Sequence, residues 1–72
     1  MKESQIKIST PYITLGQLLK LSNIISNGGE AKFYLATHNV FINSELDCRR
    51  GRKLYPGDLV EVEDSKIKIL WK

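Results

Sequence analysis

Cysteine and histidine each occur once in this chain, as Cys48 and His38. A lone thiol forms no internal disulfide, and one cysteine with one histidine does not supply the ligand set of a zinc site. No metal and no cofactor are therefore expected. No apolar run approaches the roughly 20 residues of a membrane-spanning helix. The segment Met1 to Ile8 is polar and charged and lacks the apolar core of a secretory signal. These absences point to a soluble cytoplasmic protein without membrane contact. Missing too are a glycine-rich phosphate loop, a metal-ligand spacing and a nucleophile placed to pair with His38. An enzyme is not expected.

At 72 residues the chain is long enough for one domain, read here as residues 1–72. A domain of this size buries only about 60% of the surface its unfolded chain exposes. It supports one thin core, and a pocket walled on all sides would be hard to build. Hydrophobic residues at 42% and charged residues at 26% exclude a disordered chain.

Net charge is +3, but its distribution matters more. Residues 37–72 hold seven Lys/Arg against six Asp/Glu. The cations concentrate in Asp47-Cys48-Arg49-Arg50-Gly51-Arg52-Lys53. Such a cluster repels itself, so it must face water or a polyanion. Its position between two strand-like runs means that a fold would hold it in place.

The periodicity predicts an α+β fold: two short helices on one face of a small twisted antiparallel sheet. Gln5–Ser9 alternates and reads as an edge strand, ended at Pro11. Thr14–Ser22 reads as a helix that starts with a capping box between Thr14 and Gln17, with Ile13 and Leu18 as a hydrophobic staple. Gly16 in its first turn predicts close packing. Asn27 is expected to cap a second helix over about Gly29–Thr37, paired with Glu30, with Ala31, Tyr34, Leu35 and His38 inward. Val40–Ile42, Lys53–Tyr55, Leu59–Val62 and Ile67–Trp71 read as strands. Turns are expected at Asn43-Ser44, Pro56-Gly57 and Asp64-Ser65.

The order of these signals is similar to the S4-type RNA-binding domain with its alpha-L motif. The likeness rests on Leu15, Leu18, Leu19, Ala31, Leu35, Val40, Ile42, Asn43 and the Pro56-Gly57-Asp58 turn. The strands added at both ends look like those of small stand-alone bacterial members. The resemblance implies two helices docked on a twisted sheet. It also implies RNA binding where the second helix meets the loop after the Val40–Asn43 strand. Two positions depart from the family pattern. Thr14-Leu15-Gly16 stands where a basic residue usually precedes the first helix's Leu-Asp pair, and Asn27-Gly28 stands where Ser-Arg is common.

The candidate site follows from both readings. Arg49, Arg50, Arg52 and Lys53 would bind phosphates, arginine through its planar fork and lysine as a point charge. Gly51 is expected to take a positive φ and splay them. Gly28 and Gly29 could present free N–H groups to an anion, although a plain helix-joining turn is the stronger reading of that pair. Lys32 would point near the same spot, while Lys20 is read as complementing the first helix's dipole. Phe33 faces outward beside Lys32 as a candidate stacking residue, whereas Phe41 and Trp71 are expected in the core. Asn43 enters the RNA-binding set but is read first as a turn residue. The expected function is a monomeric, non-catalytic grip on structured ribosomal or transfer RNA. Phosphate contacts carry no sequence information, so charge alone leaves DNA open. A protein partner on the edge strands is the alternative.

Overall fold

The computed structural model describes residues 2–63 and 65–72. Its elements are β1 (Lys2–Ile8), β2 (Ile13–Thr14), α1 (Leu15–Leu21), α2 (Glu30–Thr37), β3 (Val40–Ile42), β4 (Glu45–Leu46), β5 (Lys53–Leu54), β6 (Leu59–Val62) and β7 (Ser65–Trp71). Five strands form one sheet in the order β1-β7-β6-β3-β4, and β2 and β5 form a separate two-stranded ribbon. The expected α+β class holds, and β1 lies at a sheet edge as predicted.

The sheet is mixed rather than antiparallel: β1 runs parallel to β7 along its full length, from Lys2 opposite Ser65 to Ile8 opposite Trp71. Side-chain alternation reports which face a residue takes, not the direction of the neighbouring strand. A parallel pair requires a long crossover, and here the intervening chain supplies it. Within the ribbon, β5 falls in the strand expected at Lys53–Tyr55, whereas β2 and β4 are unexpected; each of these two is two residues long, too short for periodicity to register. β4 follows a two-residue turn in which Asn43 and Ser44 take φ of 52° and 71°, the pattern of a tight primed hairpin.

Helix α1 starts as its sequence directs. The Gln17 N–H donates to Thr14 Oγ1 at 3.3 Å, and the Thr14 N–H donates to Gln17 Oε1 at 2.9 Å. It stops at a left-handed Asn23 (φ 59°), where the Asn23 N–H donates to the Lys20 carbonyl and the Ile24 N–H to that of Leu19. These two bonds satisfy carbonyls that would otherwise be left free at the helix end. Before α2 the reciprocal pairing is displaced by one residue from expectation. The Glu30 N–H donates to Asn27 Oδ1, while the Glu30 carboxylate accepts from the Ser26 N–H, each at 3.2 Å. Gly29 holds the N-cap position without a side-chain bond.

Leu15, Leu18, Leu19, Ala31 and Leu35 from the helices share one core with Val40, Ile42, Leu54, Val60, Val62, Ile67 and Ile69. Tyr34 packs against that core from its rim. Its ring stacks on His38 at 4.1 Å, and His38 Nε2 lies 3.1 Å from Glu63, which ties the end of α2 to the end of β6.

Two aromatic residues expected in the core lie outside it. Phe41 alternates with buried Val40 and Ile42, so the same period-two rule turns it to the open sheet face. Trp71 has the parity of buried Ile67 and Ile69 but is the last residue of β7 and is 60% exposed. Of the turn expected at Asp64-Ser65, Asp64 lies outside the described residues.

Candidate nucleic-acid interface

The basic loop is pinned by its own backbone to the start of α1. A helix leaves its first N–H groups without internal partners. Here the Leu15 N–H donates to the Arg52 carbonyl at 2.8 Å, and the Gly16 N–H to the Arg50 carbonyl at 3.0 Å. The close packing predicted for Gly16 takes this form: a Cβ added there would stand 3.0 Å from Arg50 Cγ and 3.7 Å from Ala31 Cβ. A Cβ at this position would require the Arg50 side chain to give by a few tenths of an ångström.

Asp47 divides the four cations. Arg49 binds its carboxylate through two nitrogens, Nε to Oδ1 at 3.1 Å and Nη2 to Oδ2 at 2.9 Å. Arg52 Nη1 reaches Oδ2 at 2.7 Å, and the Arg49 N–H donates to Oδ1 at 3.0 Å. The Asp47 side chain is only 9% exposed. These bonds, led by that from the Arg49 side chain, hold its carboxyl far below the usual carboxylate range. The same carboxylate raises the pKa of Arg49. Two of the four predicted cations, Arg49 and Arg52, therefore share one carboxylate in the same loop, which cancels one of their two charges. Asp47 was legible in principle, because an aspartate two residues before a backbone N–H is the common side-chain turn of such loops.

Arg50 makes no ion pair among the described residues. It lies between two shallow grooves. One is lined by Lys32, Leu35, Ala36 and Cys48, the other by Gly16, Gln17, Lys20, Gly28 and Gly51. Lys32 lines the first of these grooves with Arg50. Lys20 stands in the last turn of α1, where it complements the helix dipole as expected, and also lines the second groove. Gly51 does not take the positive φ expected of it. The only described glycine that does is Gly57 (φ 99°), third in a turn where the Asp58 N–H donates to the Tyr55 carbonyl.

The remaining predicted residues separate. Lys53 lies with Nζ 4.9 Å from the centre of the Tyr12 ring. Phe33 is 75% exposed on the outer side of α2. Gly28 lines the Arg50 groove, but the first turn of α2 already contains the Glu30 carboxylate, which offsets the positive end of the helix dipole. Asn43 is occupied by its own chain: its Nδ2 donates to Asp58 Oδ1 at 3.1 Å, and its Oδ1 accepts from the Leu59 N–H at 3.0 Å. This residue locks two turns together, in keeping with its first reading as a turn residue. Cys48 is exposed, with Sγ 3.9 Å from the His38 carbonyl. Among the described residues no cluster of side chains could hold a metal ion, and no helix is long and apolar enough to cross a membrane.

Comparison with known proteins adds two findings. A family model described as the S4 domain matches residues 6–70. The chain is also similar to the probable ribosome maturation protein RlbA of Bacillus subtilis (strain 168), with 59% identity over 58 residues that cover 81% of this chain and 82% of that protein.

Proposed function

This chain belongs to the S4 domain family, and from that premise we propose that it is a non-catalytic RNA-binding protein that grips structured ribosomal RNA during ribosome maturation. The observation that carries this reading is the Arg50 guanidinium, unpaired among the described residues and set between the grooves of Lys20 and Lys32 on a loop whose carbonyls are bonded to α1. A cation on a backbone fixed beforehand loses little freedom when it meets a phosphate, so more of the contact energy remains as affinity. RNA helices offer phosphates and 2′-hydroxyls more readily than base edges, and a shallow cationic surface suits that target. The S4 membership and the relative's ribosome-maturation name favour ribosomal RNA over transfer RNA and DNA. Lys53 extends the grip along the loop, and Phe33 flanks it beyond Lys32. The fold acts as one domain over residues 1–72.

The edge of β1 is a weaker basis for a protein partner. Lys2, Glu3 and Lys7 stand along it, and charged side chains on an edge strand discourage strand addition.

Salt titration tests the proposal. With three phosphates neutralised by Lys20, Lys32 and Arg50, the plot of log affinity for a ribosomal RNA hairpin against log salt should have a slope of about −2 to −3. A matched DNA hairpin should bind more weakly at every salt concentration. A slope near zero, or equal binding of the two hairpins, would contradict the reading.

A further inference from the structure

The outward face of the β2–β5 ribbon stands apart from the Arg50 grip. Ile13 lies opposite Leu54, and both are buried. Strand alternation therefore sends their neighbours Tyr12, Thr14, Lys53 and Tyr55 to the outer side. Tyr12 and Tyr55 flank the paired residues at the same end of the ribbon. Their rings meet at 5.9 Å between centres, tilted by 50°, and Lys53 Nζ lies over Tyr12 at 4.9 Å. The two tyrosines remain 40% and 48% exposed.

Both rings are anchored at their roots. The Tyr55 N–H donates to Asp58 Oδ2 at 2.8 Å, and Thr10 Oγ1 donates to the Tyr12 carbonyl at 2.9 Å. The backbone beneath the pair is anchored, and the two rings form an aromatic surface with a cation beside it. Tyr55 and Lys53 line a groove with Gly51, Arg49 and Arg52. Gly51 also lines the Arg50 groove, so the two surfaces meet there. An RNA strand gripped at Arg50 could continue over Gly51 onto the tyrosines.

We infer that Tyr12 and Tyr55 form a stacking subsite for an unpaired nucleobase adjoining the RNA helix held at Arg50. The inference rests on the RNA-binding reading of the Arg50 groove. Stacking accepts any base, because every base has a π face, and Lys53 supplies a charge for the neighbouring phosphate. Phe33, the stacking residue expected from sequence, is more exposed. Among the described residues, however, it has neither a second ring nor a cation set against it, and it borders neither groove.

The test compares an RNA hairpin with a blunt stem against the same hairpin carrying a short single-stranded extension with 2-aminopurine in it. The wild-type protein should bind the extended RNA about tenfold more tightly and quench the 2-aminopurine emission. The double variant Y12F/Y55F keeps both effects, because the rings remain. The double variant Y12A/Y55A brings the ratio of the two affinities to about one. A wild-type ratio of one with no quench, or an advantage that persists in Y12A/Y55A, overturns the subsite; the wild-type measurements need no variant to fold. If the blunt hairpin binds and the ratio is one, only the subsite fails. If neither RNA binds, the RNA-binding reading fails with it.

Discussion

Arg50→Ala should weaken binding to a structured RNA by about tenfold or more, whereas Arg49→Ala should change it by less than about threefold. The two residues are adjacent in the chain and equal in charge, so net charge predicts equal losses. The structure does not. Arg49 already holds Asp47 with two nitrogens, and a charge spent on a neighbouring carboxylate adds little to the field that a phosphate meets. Arg50 has no such partner among the described residues and stands between Lys20 and Lys32. A hydrogen bond to a charged group contributes about 1.5–3 kcal/mol. At about 1.4 kcal/mol per tenfold change, the loss exceeds one order of magnitude. Fluorescence anisotropy with a labelled ribosomal RNA hairpin would measure both variants. Equal losses for Arg49 and Arg50 would mean that the loop acts as an undivided cloud of charge.

Asp47→Ala should cost about 2 kcal/mol of stability, a fall in Tm of roughly 8–16 °C for a chain of this size. The substitution leaves Arg52, whose side chain is only 29% exposed, without its carboxylate. It also removes the acceptor of the Arg49 N–H. The damage reaches α1, because the Arg52 carbonyl is the acceptor of the Leu15 N–H. The pH dependence has a definite sign. The folded-state pKa of Asp47 lies below the ordinary value of 3.8, so the unfolded chain takes up a proton first as pH falls. The stabilisation is complete above about pH 4 to 5 and is lost as pH drops through the folded value. Wild type and Asp47→Ala should therefore differ most near neutrality and converge in acid. Thermal unfolding by circular dichroism between pH 2 and pH 7 would check both points. A constant gap across that range would show that Asp47 does not work through its charge.

How much of this was legible in the sequence depends on how local each interaction is. The Thr14–Gln17 capping box lies within four residues, and the structure reproduces it. The exposure of Phe33 and the burial of Ala31 and Leu35 follow from helical spacing alone. The parallel pairing of β1 with β7 joins the two ends of the chain, and no short window contains it. The ribbon between Ile13 and Leu54 is equally non-local, and with it the meeting of Tyr12 with Tyr55. Within the basic loop the difficulty was of another kind. Asp47 stood in plain view two residues from Arg49, but a count of charges does not show which cation a carboxylate will hold. The place of Lys20 in the last turn of α1 is local and was legible, but its nearness to the basic loop was not, because that loop lies thirty residues further along.

RNA should meet this chain at the surface around Arg50. The decisive experiment titrates the 15N-labelled protein with a ribosomal RNA hairpin and follows the backbone amides. The largest shifts should fall on Gly16, Lys20, Gly28, Lys32, Arg50 and Gly51. Shifts concentrated instead on the open sheet face, at Glu3, Gln5, Lys66 and Lys68, would contradict this placement.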